Sequence, residues 1–127
     1  MGTYKNLYVW NKSMELSEMI YLATRSFPQE EKYALADQMR RASVSIVSNI
    51  AEGFGRGTDK DIAHFLYMAK GSSNELDTQI ELSFRLKFLD NNVYISLRDK
   101  NMEVNKMLAS LIYRRQNGLD TIKKDKA

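Results

Sequence analysis

Residues 59–89 read DKDIAHFLYMAKGSSNELDTQIELSFRLKFL. Apolar and small residues recur in this stretch at alternating spacings of four and three, which places them on one face of an α-helix. The members of this stripe are Ile62, Leu66, Ala69, Ser73, Leu76 and Ile80. Helices that pack side by side in bundles share this average period of about 3.5 residues. The stretch therefore predicts a long amphipathic helix in an all-α protein.

Three more helices are predicted on either side of this one. The first covers about residues 6–25, the second about residues 30–51, and the fourth runs from the turn at residues 90–92 to Gly118. The stripe of the first helix consists of Trp10, Met14, Ser17 and Tyr21, broadened by Leu16, Ile20 and Ala23. The stripe of the second consists of Leu35, Met39, Ala42, Ile46 and Ile50. The stripe of the fourth consists of Leu97, Asn101, Val104, Leu108 and Leu111. All three repeat at helical spacing.

The connections between these helices are short and carry the usual stop and cap residues. Pro28, the only proline, separates the first two helices, and the glycine-rich run at residues 52–57 supplies the next turn. Thr58 with Asp61 resembles a capping box, and Asn117-Gly118 is a typical helix stop. Four helices with short connections lie most easily as antiparallel neighbours. We therefore predict an antiparallel up-and-down four-helix bundle; the alternative is a helical hairpin completed by dimerisation.

The second helix is apolar on a second face. Val44, Val47 and Ala51 project about 120° from its core stripe, at about 100° per residue. A helix with two apolar faces needs two partners, and in a short chain one of them can be another subunit. These three residues are our candidates for an oligomer interface.

Composition restricts the classes of protein further. The 127 residues fit one domain, residues 1–127, in which we expect residues 119–127 to form a flexible basic tail. There is no cysteine, which excludes disulfides, thiolate metal sites and a cysteine nucleophile. No stretch approaches the roughly 20 apolar residues of a membrane span, and no secretory leader is evident. We expect a cytoplasmic protein that does not associate with membranes.

The sequence offers no convincing catalytic or metal site. His64 is the only histidine, and Asp61 lies three residues before it. Di-metal bundles need such a pair on two helices with further carboxylates on the others. We therefore predict a protein without enzymatic activity, cofactor or small-molecule substrate. The polar residues beside the stripes fit a buried hydrogen-bonded network better than an acid–base pair: Gln38, Asn49, Glu52, Asn74, Glu75 and Gln79.

Positive charge is the feature that points to a partner. The net charge is +3, and from residue 113 onward five basic residues face two acidic ones. Lysine and arginine bind nucleic acid through its phosphates, although a solvated tail and ordinary ion pairs explain the same residues. The candidates for nucleic-acid contact are Arg40, Arg41, Arg56, Lys60, Arg114, Arg115, Lys123, Lys124 and Lys126. Tyr4, Tyr8 and Trp10 could stack on bases, but their helical spacing favours a place in the core.

Four segments carry a family resemblance: residues 27–33 (FPQEEKY), 38–42 (QMRRA), 45–53 (SIVSNIAEG) and 65–72 (FLYMAKGS). They resemble the four-helix-bundle proteins encoded in intervening sequences of bacterial 23S ribosomal RNA genes, with the accessory protein of diversity-generating retroelements as a more distant relative. The likeness begins at Val9-Trp10 and extends over nearly the whole chain. Many relatives have proline where this chain has Val47, so the sequence leaves open whether the kink that proline produces is present here.

The resemblance implies a homopentameric up-and-down bundle with a role that involves nucleic acid, and it carries over no catalytic residue. Our leading hypothesis is a non-catalytic oligomer that associates with RNA or DNA through basic surfaces pooled from several subunits. The alternative is a scaffold or accessory subunit that binds another protein without touching nucleic acid.

Overall fold

We describe residues 4–119 of the chain in a computed structural model. Four α-helices follow one another: α1 (Tyr8–Thr24), α2 (Leu35–Phe54), α3 (Asp59–Arg85) and α4 (Asn91–Gln116). Short 3₁₀ turns at Tyr4–Asn6 and Gln29–Glu31 precede α1 and α2. The described part of the chain contains no strand. The predicted all-α fold is therefore confirmed.

The helices form an antiparallel up-and-down bundle. Each helix packs against the next in sequence, and α4 packs back against α1. Contacts near the helix ends fix the directions: Arg40 near the start of α2 contacts Thr24 at the end of α1, and Arg115 at the end of α4 contacts Asp59 at the start of α3. Gly53 near the end of α2 likewise lies against Ile62 near the start of α3. At mid-height, side-chain contacts join Ser17 to Ser43, Ser45 to Ser72, Ser73 to Asn101, and Glu15 to Lys100. We call this level the waist of the bundle.

The core is built from the stripes predicted for α2, α3 and α4. Every member of those three stripes is buried, and Met39, Ile46, Leu66, Ile80 and Leu108 are fully so. The predicted helix starts are also capped: Thr58 Oγ1 accepts a hydrogen bond from the Asp61 amide, and Asp90 Oδ1 accepts one from the Val93 amide.

The centre of the stripe predicted for α1 is wrong by about one position. Met14 and Tyr21 are about two-fifths exposed, whereas Val9, Ser13 and Thr24 are buried in addition to Leu16 and Ile20, which the prediction had included at the edge of the stripe. Two of these are polar, but their hydroxyls donate to backbone carbonyl oxygens four residues earlier, Ser13 to Val9 at 2.7 Å and Thr24 to Ile20 at 2.8 Å. A hydroxyl satisfied in this way is buried at little cost.

The bounds of α2 also differ from the prediction. Residues 29–31 form only a 3₁₀ turn, and Ala34, at φ −121° and ψ −103°, separates it from an α-helix that begins at Leu35. At its other end α2 continues past Ala51 to Phe54. The helix is unbroken across Val47.

Gly53 lies inside α2 rather than in the following turn, and its role is close packing. A β-carbon at this position would lie 2.9 Å from the Phe65 β-carbon and 3.4 Å from the Ile62 carbonyl oxygen, both in α3. Contacts below 3.0 Å force one helix to move. Only glycine therefore permits this approach between α2 and α3 without a shift.

Buried polar contacts join α3 to α4 at the waist. Ser73 Oγ donates to Asn101 Oδ1 at 2.8 Å, and Asn101 Nδ2 donates to the Ser73 carbonyl oxygen at 3.0 Å. Asn105 Nδ2 donates to Ser73 Oγ and to Asn74 Oδ1. Such paired groups favour one register of the two helices. Of the residues predicted for a buried network, Gln79 is buried, and half-buried Asn49 donates to Ser45 Oγ, which lies 2.9 Å from Ser72 Oγ of α3. Asn74 meets the network only at its exposed edge, and Gln38, Glu52 and Glu75 are exposed, so the prediction is wrong for these four.

None of the four helices is apolar over a length that would cross a membrane; this applies to residues 4–119.

Candidate functional site

The waist divides the described chain into two halves of opposite net charge. The half that we call the basic half contains residues 4–16, 44–72 and 102–119, and the opposite half contains residues 17–43 and 73–101. The basic half carries eight lysines and arginines against five acidic residues, namely Lys5, Lys12, Arg56, Lys60, Lys70, Lys106, Arg114 and Arg115 against Glu15, Glu52, Asp59, Asp61 and Glu103. The opposite half carries eight against nine. The net positive charge therefore lies in one half of the bundle.

Two of the predicted contact residues, Arg56 and Lys60, flank the turn between α2 and α3. Arg56 donates to Glu52 at 2.6 Å, and its guanidinium lies 4.8 Å from the Phe65 ring centroid. Because the pair is about half exposed, it adds little to stability. Lys60 is exposed and makes no ion pair within residues 4–119. Its ammonium is therefore available to an anionic ligand.

Arg114 and Arg115 end α4 beside the same turn, and they occupy different environments. Arg115 is 8% exposed; its Nη1 lies 3.3 Å from Asp59 Oδ1 and its guanidinium lies 5.2 Å from the Phe54 ring centroid. Arg114 is half-buried. Arg115, near the end of α4, thus contacts both the start of α3 through Asp59 and the end of α2 through Phe54.

Arg40 and Arg41 lie in the opposite half, so the fold does not bring them together with the other candidates. Arg40 Nε donates to Thr24 Oγ1 at 2.8 Å, and its guanidinium lies 4.8 Å from the Tyr21 ring centroid. Arg41 pairs with Asp37 at 2.9 Å. Through its bond to Thr24, Arg40 joins α2 to α1. At a rise of 1.5 Å per residue, Arg41 lies about 20 Å along the helix from Phe54, where α2 ends just before Arg56.

The remaining basic candidates are Lys123, Lys124 and Lys126, which lie outside the described residues. The described chain ends at Leu119, just after α4, and thus in the basic half.

A groove follows the seam between α3 and α4 in the basic half. Its larger part has a volume of about 660 Å³ and is bordered by Lys60, His64, Tyr67 and Gln116. Its smaller part has a volume of about 200 Å³ and continues past Tyr67 and Gln116 to Tyr113 and Lys70. We call the two parts together the α3–α4 groove.

Two tyrosines line this groove, Tyr67 and Tyr113, and neither was among the residues predicted to contact a ligand. Tyr67 is 52% exposed and Tyr113 is 60% exposed, although both are large aromatic residues. Gln116 Nε2 donates to the Tyr67 hydroxyl at 3.3 Å. Tyr67 lies about 140° from the core stripe of α3, and an aromatic residue on the polar face of a helix is the signal that could have identified it. Tyr4 and Trp10, by contrast, pack against the core with their ring centroids 5.7 Å apart.

The three candidate interface residues occupy different environments. Val44 is 42% exposed, Ala51 is half-buried and Val47 is only 8% exposed. Val47 is therefore largely covered within the chain itself. Of the three residues, Val44 is the most exposed and is the best placed to meet a partner.

His64 and Asp61 are both exposed on α3. Within residues 4–119, no group of three or more histidine, aspartate or glutamate side chains could hold a metal ion. His64 instead borders the α3–α4 groove, with its ring 5.4 Å from that of Phe65.

One ion pair at the waist changes the acidity of its partners. Lys100 Nζ donates to Glu15 Oε1 at 2.9 Å, and this hydrogen bond lowers the pKa of the Glu15 carboxyl below its ordinary value. The same bond raises the pKa of the Lys100 ammonium. The pair joins α1 to α4 across the boundary between the halves.

Fold and charge together define a class, that of antiparallel four-helix bundles with one basic half. The sequence model of the 23S rRNA-intervening sequence protein family matches residues 5–110. The chain belongs to that family. A solved structure from Bacteroides thetaiotaomicron, described as a protein with unknown function from the S23 ribosomal protein family, is similar to it at 27% sequence identity and a TM-score of 0.74. The match covers 82% of this chain and 97% of that chain. No curated protein matches the chain.

Proposed function

We propose that this chain is a non-catalytic, cytoplasmic bundle protein that associates with nucleic acid through its basic half and does so as an oligomer. The observation that carries the proposal is the uneven charge, with a net excess of three positive charges in the basic half. A surface with a net positive charge attracts phosphates over about a Debye length, roughly 8 Å at physiological salt. The family name refers to an intervening sequence of 23S rRNA, and it is the reason for choosing RNA as the first partner to test.

Oligomerisation would strengthen this attraction without any new contact. Five copies of a chain with net charge +3 would carry about +15, and sites that act together bind more tightly than each alone. We propose the pentamer that the family resemblance implies, with Val44 in its interface. Val44→Glu should then give folded monomers with weaker RNA binding, because a charge is costly inside an interface and harmless in water. Light scattering measures the mass, and an unchanged mass would remove Val44 from the interface.

Two matched double variants test the role of the basic half. Arg56→Gln with Lys60→Gln removes two exposed positive charges from it, and Arg41→Gln with Lys32→Gln removes two from the opposite half. Each pair combines an arginine bound to an acidic residue four positions earlier with an exposed lysine. In a filter-binding assay with structured RNA, the first variant should bind more weakly and lose about two units of salt slope, while the second should resemble the parent. Equal losses in both would contradict the proposal.

A protein-binding scaffold is the second candidate, and one observation favours it. In the opposite half, a cleft of about 380 Å³ between α1 and α4 is bordered mainly by apolar side chains, including Met19, Val93 and Leu22, which is 59% exposed. Exposed apolar surface of this kind is typical of protein contacts. A chain that binds no RNA at low salt, yet binds another protein with an affinity that salt does not change, would favour this function.

A further inference from the structure

We propose that the α3–α4 groove binds single-stranded nucleic acid, with bases stacked on Tyr67 and Tyr113 and phosphates held by Lys60 and Lys70. The inference rests on the proposed function, since it assumes that nucleic acid is the partner. It adds the site and the form of the ligand, neither of which follows from net charge alone.

The groove combines the two features on which proteins rely to bind single strands: a positively charged path for the backbone and aromatic rings for the bases. Two lysines lie on its α3 side, ten residues apart and therefore about 15 Å apart along the helix. Among residues 4–119, the one carboxylate that borders the groove, Asp59, is paired with Arg115. The described lining of the groove therefore carries a net positive charge.

The tyrosines are placed for stacking rather than for packing. Each is more than half exposed, and each borders the smaller part of the groove, which Ala109 and Ile112 also line. One ring comes from α3 and the other from α4, so a strand that runs along the groove passes both. Stacking on a tyrosine ring depends little on which base is bound, because every base has a π-face. We therefore expect little base specificity.

The exposed rings favour a single strand over a duplex, because only unpaired bases are free to stack on a side chain. In a duplex the bases are already stacked on one another and cannot reach the tyrosines. A duplex could touch the lysines from outside, but it would gain nothing from the rings.

Conservative variants separate stacking from charge. Tyr67→Leu and Tyr113→Leu keep an apolar side chain and remove the ring, whereas Tyr67→Phe and Tyr113→Phe keep the ring. Tyr33→Leu is the matched control, because Tyr33 is 90% exposed and lies in the opposite half. The probes are a labelled single-stranded oligoribonucleotide of mixed sequence and the same strand annealed to its complement, followed by fluorescence anisotropy. Circular dichroism and light scattering check that fold and mass are unchanged.

The parent should bind the single strand more tightly than the duplex. Each leucine variant should lose about 5- to 100-fold in affinity for the single strand, since stacking contributes that much per base, while both phenylalanine variants and Tyr33→Leu should match the parent. The inference would be overturned by any of three results: leucine variants that bind like the parent, a parent that prefers the duplex, or a loss of binding that accompanies a change in mass.

The same measurements separate this inference from the proposed function. If the parent binds the duplex in a salt-dependent way but the leucine variants bind the single strand as the parent does, only this inference fails. A parent that binds neither probe at low salt removes the proposed function as well.

Discussion

Replacing Gly53 by alanine tests how closely α2 approaches α3, because the added β-carbon would lie against α3. The same replacement at Gly71 provides a matched control. Both glycines lie inside α-helices, where alanine is favoured over glycine by about 1 kcal/mol. At Gly71 an added β-carbon meets nothing within 4 Å, so Gly71→Ala should raise the free energy of unfolding by about 1 kcal/mol. At Gly53 it meets the Phe65 β-carbon at 2.9 Å, which is attached directly to the backbone and cannot turn away.

The clash at Gly53 should outweigh the gain in helix propensity. Overpacking of this kind costs about 1–3 kcal/mol, so Gly53→Ala should lower the free energy of unfolding by about 0–2 kcal/mol and lie about 1–3 kcal/mol below Gly71→Ala. Urea unfolding followed by circular dichroism measures both, at equal protein concentration and with the slope on denaturant compared between variants. If both variants are stabilised equally, α2 does not approach α3 as closely as described.

Three further predictions concern single contacts. Lys87 has φ +67° in the turn after α3, so Lys87→Gly should raise the free energy of unfolding by about 1 kcal/mol, and a loss would argue against this backbone conformation. Asp90→Ala removes the cap that accepts from the Val93 amide and should cost about 1 kcal/mol in urea unfolding, whereas no cost would mean that α4 starts elsewhere. Because the pKa of Glu15 is lowered from 4.5, its pairing with Lys100 stabilises the fold above that pH and ceases to do so as the pH falls through the folded pKa. The stability difference between the parent and Lys100→Met should therefore shrink on acidification, and a difference that grows would contradict the pairing.

Periodicity predicted most of the fold, and its failures have a physical cause. The stripes of α3 and α4 were identified correctly even where they include Ser73 and Asn101, because their apolar neighbours fix the phase. In α1 the phase was wrong, since Met14 and Tyr21 are apolar but exposed while Ser13 is buried. A hydroxyl that donates to a carbonyl oxygen of its own helix can be buried, but the sequence alone does not show which hydroxyls will do so.

The candidate site was predictable only in part. The basic residues were evident from composition, but which of them share a surface depends on the register of the helices: Arg56 and Arg115 lie in the basic half, whereas Arg41 lies in the opposite half. Tyr67 and Tyr113 lie 46 positions apart in the sequence, so nothing local indicates that they border one groove. Gly53 was taken for a turn residue, because a close approach between helices and a turn both require glycine.

The salt dependence of RNA binding by the full chain tests the central claim most directly. The affinity for structured RNA is measured by filter binding over a series of salt concentrations, and its logarithm is plotted against the logarithm of salt. If the basic half contacts phosphates, the plot falls linearly, with about 0.7–0.9 units of slope for each phosphate neutralised. Weak binding that does not change with salt, or no binding at the lowest salt, would contradict an association with nucleic acid through this half of the bundle.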